Sequence, residues 1–117
     1  MEKTAKIEAF FEAMKKESEN GTRFPSGANK AFCAWGCRCN NEILFDGFLW
    51  DKEVHDFIGT MRKAGVETFV FTNKSTALMD NLHDFAAEGC SMEGLCTIKR
   101  KGGIWGEETI KGIRIRL

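Results

Sequence analysis

The sequence has no tyrosine, only one proline, and no apolar run that approaches the ~20 residues needed by a membrane-spanning helix. With so little proline, the chain must make its turns with glycine, asparagine and aspartate, and it contains twelve glycines. The N-terminal segment MEKTAKIEAFFEAMKK is amphipathic and of mixed charge, and it lacks the apolar core and cleavage site of a signal peptide. We therefore expect a cytoplasmic protein that does not enter a membrane.

The chain also lacks an excess of either charge, because 17 basic and 17 acidic residues give a net charge of zero. This balance argues against a protein that coats nucleic acid and against an acidic mimic of DNA. The charge is nevertheless uneven, since residues 95–117 carry six basic and two acidic side chains, a net of +4. The sequence therefore predicts a local basic surface near the C-terminus.

The length of 117 residues predicts a single domain over residues 1–117, with one core and no need for disulfides. Apolar residues recur at helical spacing in four segments and alternate or cluster as strands in four others. The predicted helices cover residues 3–19 and 28–39, the segment between Asp51 and Gly65, and the segment from the turn at 72–76 to Gly89. The predicted strands cover residues 42–49, 66–72, 93–101 and 109–117.

This order, α-α-β-α-β-α-β-β, predicts an α+β or α/β fold. We expect one small mixed β-sheet with helices packed on it and a C-terminal antiparallel hairpin at its edge. Ser26 and Asp51 are the predicted N-caps of the second and third helices. The apolar stripe of the fourth helix is expected to contain Leu78, Leu82, Phe85 and Ala86.

Residues 69–95, FVFTNKSTALMDNLHDFAAEGCSMEGL, contain an aromatic strand, a helix start at Ser75–Asp80, and Gly89 followed by Gly94 and Leu95. Together with the preceding LWDKEVHDFIGTMRKAGVETF, this segment resembles small uncharacterised proteins of phages and conjugative elements of Gram-positive bacteria. The resemblance covers residues 48–98, about half of the chain, and it does not include the clustered cysteines. It implies an accessory gene of a mobile element that acts against host defence, and it implies no biochemical activity.

The predicted turn from Thr72 to Thr76 is the first candidate site. A strand that leads into a helix presents free N–H groups at the positive end of the helix dipole. With Asn73, Lys74, Ser75 and Thr76 beside it, this end could bind a phosphate or a carboxylate. The alternative is simpler, because asparagine, serine and threonine are also the ordinary capping residues of helices.

The C-terminal hairpin is the second candidate site. If Ile113 and Ile115 face the core together with Cys96 and Ile98, the opposite face carries four cations, which are Lys99, Lys101, Arg114 and Arg116. Such a face could contact phosphates or an acidic protein surface, and Trp105 in the connector could add stacking. The alternative is a solvated face whose charges protect a sheet edge from aggregation.

Three of the five cysteines lie in AFCAWGCRCN, at positions 33, 37 and 39. The spacing C-x3-C-x-C does not match the paired ligands that are typical of structural zinc sites. On a helix, Cys33 and Cys37 point away from the apolar stripe, whereas Cys39 joins Phe32 and Trp35 on it. If the segment is instead a strand, all three thiols share one face and a metal site becomes credible.

These patterns identify no catalytic residues, because no set of nucleophile, base and orienting group can be named. They also indicate no cofactor. The function that we predict is a non-catalytic accessory or inhibitory protein of a mobile genetic element, which binds a protein or nucleic-acid partner. One alternative is a small phosphate or nucleotide binder that uses the turn at Thr72–Thr76. Another is a small metal or thiol protein.

Overall fold

The computed structural model describes residues 2–39, 42–101 and 106–117. Four helices and four strands follow the predicted order, and the strands form one mixed sheet with the order β1-β2-β4-β3. The predicted fold class is therefore confirmed. The helices are α1 (Glu2–Glu19), α2 (Ser26–Gly36), α3 (Asp51–Ala64) and α4 (Leu78–Ala87), and the strands are β1 (Leu44–Asp46), β2 (Thr68–Thr72), β3 (Ser91–Lys101) and β4 (Glu107–Arg116).

The sheet combines one parallel pair with two antiparallel pairs. β1 lies parallel to β2, with Leu44 opposite Val70, so β1, α3 and β2 form a β-α-β unit. β4 lies antiparallel to both β2 and β3, and it separates these two strands. The long strand β3, with 11 residues, is therefore the outer edge of the sheet.

The main core lies between the sheet and helices α3 and α4. Phenylalanine rings of three strand positions pack against rings of both helices, with Phe57 of α3 5.4 Å from Phe69 and Phe85 of α4 5.1 Å from Phe71, measured between ring centroids. Phe45 of β1 lies 4.9 Å from Phe57. Because these rings are 8% exposed or less, their burial is the main apolar contribution to the stability of the fold.

The two N-terminal helices extend this core. Phe11 and Met14 of α1 are buried, as the spacing of the apolar residues predicted, and the Phe11 ring stacks on Trp35 of α2 at 5.2 Å. The guanidinium of Arg38 lies 4.4 Å from the ring centroid of Trp35 in this stack.

Among the helices of the described residues, none has the length and apolar character required to cross a bilayer.

A second, smaller cluster of apolar residues lies on the opposite face of the sheet. The residues that form it are Leu44, Val70, Ile98 and Ile110, each at most 8% exposed. Cys39 and Cys96 pack against this cluster. β2 is therefore buried on both faces, which is why its sequence TFVFT shows no polar alternation.

The predicted N-caps at Ser26 and Asp51 are wrong. Pro25 and Trp50 occupy the N-cap positions of α2 and α3, and Ser26 and Asp51 are the first helical residues. At α3 the capping function belongs to Glu53, whose carboxylate accepts a hydrogen bond from the Trp50 N–H at 2.9 Å. The first N–H groups of a helix have no partner within the helix, and a side chain three residues into the helix can reach back to bond them. A residue type that often caps helices therefore need not supply the cap.

Ala86 does not face the core as predicted, and Asn81 takes the inward position on α4. Asn81 is 1% exposed, and its side chain bonds both backbone groups of Leu49, accepting from the N–H at 3.0 Å and donating to the C=O at 2.7 Å. The hydrophobic periodicity of a sequence cannot predict a buried amide that forms hydrogen bonds with the backbone of a buried loop.

Glu53 is a buried carboxylate, 4% exposed, and it pairs with the ammonium group of Lys30 at 2.7 Å. Burial alone raises the pKa of Glu53. Hydrogen bonds from Lys30, from the Trp50 N–H and from the Ser26 hydroxyl outweigh burial and hold this pKa below its ordinary value. The carboxylate therefore links α2, the loop before α3 and the first turn of α3.

Two glycines give a matched test of the packing. A Cβ atom at Gly112 of β4 would lie 2.7 Å from Cγ1 of Val70 and 3.0 Å from the carbonyl oxygen of Phe71, whereas a Cβ atom at Gly59 of α3 would meet nothing within 4 Å. We expect Gly112→Ala to lower the free energy of unfolding by about 1–3 kcal/mol through overpacking. Gly59→Ala should raise it by about 0.5–1 kcal/mol through helix propensity. Urea denaturation measures both, and equal effects would contradict this packing.

The Glu53 network predicts an acid-sensitive contribution to stability. Because the pKa of Glu53 is lower in the folded protein than in the unfolded chain, its contribution is complete above about pH 4.3 and is lost as the pH falls through the folded pKa. Glu53→Gln should therefore flatten the decline of the free energy of unfolding in acid. The control is Glu12→Gln on the exposed side of α1, and an equal flattening by this control would contradict the prediction.

Candidate functional site

The turn after β2 connects the carboxyl end of the parallel pair to α4. The Asn73 side-chain oxygen accepts a hydrogen bond from the Ser75 N–H at 2.6 Å, and the Ser75 hydroxyl accepts one from the Ala77 N–H at 3.2 Å. Two of the N–H groups that an anion would need are therefore already bonded within the turn. The N-cap of α4 is Ala77 and carries no side-chain cap bond, so these two bonds hold the turn that precedes the helix and favour a structural role of Asn73 and Ser75 over an anion site.

The other residues of this predicted site are placed differently. Lys74 and Thr76 are exposed, and neither makes a side-chain hydrogen bond or ion pair with the described residues. Thr72 is almost buried, and its hydroxyl donates to the Lys111 carbonyl oxygen at 2.9 Å, which ties the end of β2 to β4. The structure therefore brings the predicted turn and the first half of β4 together, which the sequence did not indicate.

The predicted pairing of the hairpin is wrong. Leu95 lies opposite Ile113, and Cys96 lies opposite Gly112. Leu95, and not Cys96, is therefore on the helical face, which is the face of the sheet that packs against the helices and carries the core residues of β4. Arg114 lies on the other face. The register is shifted by a β-bulge between Met92 and Gly94, where Gly94 adopts a φ of 135°. One extra residue in a strand exchanges its two faces, and alternation alone cannot reveal it.

The four predicted cations consequently do not form one basic face. Lys99 lies opposite Thr109, on the face of Leu95, and its exposed side chain has no ion pair with the described residues. Lys101 lies opposite Glu107 in the ladder, but its side chain and the whole of Trp105 lie outside the described residues. The predicted basic surface is therefore divided between the two faces of the sheet.

The arginines of β4 are paired with glutamates. Arg114 donates through Nε to Glu42 at 3.1 Å, and Arg116 donates to Glu93 at 2.7 Å. These hydrogen bonds raise the pKa values of both arginines, so each guanidinium stays charged beside a carboxylate of opposite charge. A phosphate would have to displace a carboxylate at each position, which weakens the argument for a nucleic-acid surface here.

A groove opens on the face of the sheet that packs against the helices, beside the start of α4 at Leu78. It has a volume of about 530 Å³, and we call it the carboxyl-end groove because it lies beside the carboxyl end of β2. Leu95 projects from its wall and is 88% exposed. The residues that line it are Phe71, Thr72, Asn73, Leu78, Leu95, Cys96, Thr97, Lys111, Gly112 and Ile113.

Of this lining, the sequence predicted only Thr72 and Asn73, the first two residues of the candidate turn, as part of a site. The side-chain nitrogen of Asn73 is buried and has no hydrogen-bond partner among the described residues. Leu95 and Ile113 were missed because their meeting depends on the strand register. The signal that could have identified the groove is the apolar Leu95 in the edge strand, which alternation assigns to either face.

The cysteines divide between two surfaces. Cys33 lies in α2 and Cys37 is the C-cap residue that directly follows this helix, and both are exposed, as the helical interpretation predicted. Cys39 does not join Phe32 and Trp35, because the helix ends at Gly36 and Cys39 packs on the opposite face of the sheet. No group of three or more potential metal ligands lies together in the part of the chain that the structure describes.

The two downstream cysteines are poor nucleophiles. Burial raises the pKa of the Cys90 thiol, and it also raises that of the Cys96 thiol. Both groups are therefore protonated at neutral pH, whereas thiol chemistry and metal binding require the thiolate. Their surroundings are those of structural cysteines.

The structural role of Ser75 in the turn can be tested with neighbouring alanine substitutions. Ser75→Ala removes the acceptor of the Ala77 N–H and should lower the free energy of unfolding by about 0.5–1.5 kcal/mol, the net contribution of one hydrogen bond. Thr76→Ala removes an exposed hydroxyl without such a bond and should change stability by less than about 0.5 kcal/mol. A rise in Tm with inorganic phosphate that both variants abolish would instead identify an anion site.

Comparison with protein families matches residues 28–117 to the family described as Domain of unknown function (DUF7698). The matched region begins in α2 and includes all four strands, the cysteine cluster and the carboxyl-end groove. Comparisons with curated proteins and with solved structures found no match. The family match does not bear on a phage or conjugative element as the origin, which stays a prediction. Because the match covers more than half of the chain, this protein belongs to the family Domain of unknown function (DUF7698).

Proposed function

We propose that this protein is a non-catalytic binding protein that recognises a segment of another polypeptide in the carboxyl-end groove. The observation that carries the proposal is Leu95, a large apolar side chain that is 88% exposed beside an open apolar groove. Phe71, Leu78 and Ile113 form the apolar part of the lining. Exposed apolar surface of this kind, rimmed by polar groups, is typical of interaction sites.

The polar groups of the groove suit an extended polypeptide. The unpaired side-chain nitrogen of Asn73 leaves a buried donor without an acceptor, an arrangement that costs about 1–3 kcal/mol. A backbone carbonyl group of a partner would satisfy this donor after a small movement of the turn. Lys111, which is exposed at the rim, would favour a partner segment with an acidic residue.

The edge of β3 offers the backbone groups that such a segment needs. Among the described strands, β3 pairs only with β4, so the N–H and C=O groups of its outer edge face away from the sheet. An extended segment that pairs with this edge would continue the sheet and cover Leu95. The bulge at Gly94 interrupts one part of the edge, which leaves residues 95–101 as the regular stretch.

Two other partners receive less support from the geometry. Nucleic acid would require free cations on one face, but Arg114 and Arg116 are paired with carboxylates. A phosphate or nucleotide would require the N–H groups of the turn, and those of Ser75 and Ala77 are bonded. The biological setting that we propose is that of an accessory or inhibitory factor of a mobile genetic element, acting against host defence. The similarity of residues 48–98 to proteins of phages and conjugative elements supports this setting.

The proposal predicts that Leu95 is a contact residue. A photo-crosslinking amino acid at position 95 should capture a polypeptide in the host cell, whereas the same group at Met79 should not. Met79 is the matched control, because it is 60% exposed on α4 and does not line the groove. Mass spectrometry identifies the captured partner for the binding assay.

With that partner, Leu95→Asp should weaken binding by about tenfold or more, and Met79→Asp should leave binding unchanged. Affinity should change little with added salt, because apolar burial is not screened. Equal effects of the two substitutions would contradict the proposed groove. A loss of about 10³–10⁵ in affinity between low and moderate salt would indicate nucleic acid instead.

A further inference from the structure

A second groove, separate from the carboxyl-end groove, lies between the loop before α3 and the outer side of α4. Two large aromatic side chains of this loop are exposed, Phe48 at 40% and Trp50 at 59%. Their rings meet edge to face, with centroids 5.1 Å apart. The groove has a volume of about 670 Å³, and we call it the aromatic groove. The residues that line it are Phe48, Leu49, Trp50, Asp51, Ser75, Ala77, Asp80, Asn81, His83 and Asp84.

The exposure of these rings is enforced by the fold. Leu49 lies between them in the chain and is 2% exposed, and both of its backbone groups bond the buried side chain of Asn81. In an extended segment, a residue that points inward turns its two neighbours outward. The Trp50 N–H is also held by Glu53, and the Phe48 carbonyl oxygen accepts from Lys30 at 3.2 Å. The rings are therefore presented on a rigid backbone, which lowers the entropic cost of binding a ligand.

The charges around the rings are negative. Asp51, Asp80 and Asp84 line the groove, and no lysine or arginine belongs to its described lining. None of these three carboxylates has an ion pair with the described residues, and the one hydrogen bond that Asp51 accepts comes from the neighbouring Lys52 N–H. Asp51 and Asp80 lie in the first turns of α3 and α4, where each faces a helix dipole of roughly half a positive charge. The groove keeps a negative balance after this compensation.

The ring faces provide the second half of the recognition. Phe48 already carries a cation, because the ammonium group of Lys30 lies 5.0 Å from its centroid. No cation from the described residues lies over the larger and more exposed ring of Trp50. Tryptophan is the aromatic residue that binds cations best, and a guanidinium group combines stacking on the ring with paired hydrogen bonds to a carboxylate.

We propose that the aromatic groove binds an arginine side chain of an extended basic segment in a partner polypeptide. The guanidinium group stacks on Trp50, and the carboxylates of Asp80 and Asp84 pair with its N–H groups. A lysine side chain would gain the charge attraction but would lose the planar stacking and the forked hydrogen bonds. This surface uses different residues from the carboxyl-end groove, so either proposal can fail without the other.

Fluorescence anisotropy with labelled peptides and the full chain tests this proposal. A short peptide of alternating arginine and glycine should bind at low salt, and the matched lysine peptide should bind several-fold more weakly. Trp50→Ala should weaken binding of the arginine peptide by about tenfold or more. Asp84→Asn, outside the first turn of α4, should weaken it by a smaller factor, because a second carboxylate remains.

The controls are Met79→Ala and Glu12→Gln, which remove an exposed apolar group and an exposed carboxylate away from the groove. Both should leave the affinity unchanged, and circular dichroism should show that Trp50→Ala is folded. Equal binding of the arginine and lysine peptides, or insensitivity to Trp50→Ala, would overturn the proposal. Self-association of the free protein that Trp50→Ala abolishes would overturn it too, because the groove would then belong to a second copy of the chain.

Discussion

The close packing of phenylalanine rings between the sheet and helices α3 and α4 is the constraint on which the rest of the structure depends. Phe69 and Phe71 of β2 contact rings of both helices, so the central strand is oriented by aromatic packing on one face and aliphatic packing on the other. Gly112 allows β4 to approach this strand closely, since a Cβ atom there would collide with Val70. The position of β4 relative to β2 follows from that contact.

The hairpin of β3 and β4 extends beyond the part of the sheet that the helices cover. β4 pairs with β2 only over Ile113–Arg116, whereas it pairs with β3 as far as Lys101 and Glu107. In the described part of the chain, the outer part of the hairpin therefore extends beyond the pairing with β2. Leu95 lies opposite Ile113, where this outer part begins, and it is exposed beside the carboxyl-end groove. One topological fact, the insertion of β4 between β2 and β3, thus explains both the groove and the free edge.

Prediction from the sequence succeeded where the signal was local. Val54, Phe57, Ile58 and Met61, which recur at helical spacing, are buried, and the segment predicted as a helix over 28–39 is helical as far as Gly36. Prediction failed where a distant contact decided the outcome. Asn81 rather than Ala86 faces the core, because it bonds the distant backbone of Leu49. Glu53 rather than Asp51 caps α3, because it bonds the Trp50 N–H and is held beside it by the distant Lys30. At the candidate site, the sequence indicated Asn73 but could not place Leu95 beside it.

The sequence by itself determined the number, order and kind of the secondary structure elements. These depend on the spacing of apolar residues and on glycines at turns, which act over a few neighbouring residues, and on the length of the chain. It also determined that the C-terminal strands are rich in cations. Only the tertiary structure decided which of these cations share a face, since the bulge at Gly94 sets the register and glutamates from other elements pair with Arg114 and Arg116. The surfaces that can bind a partner follow from that register and from buried polar contacts, and both are properties of residues that are far apart in the chain.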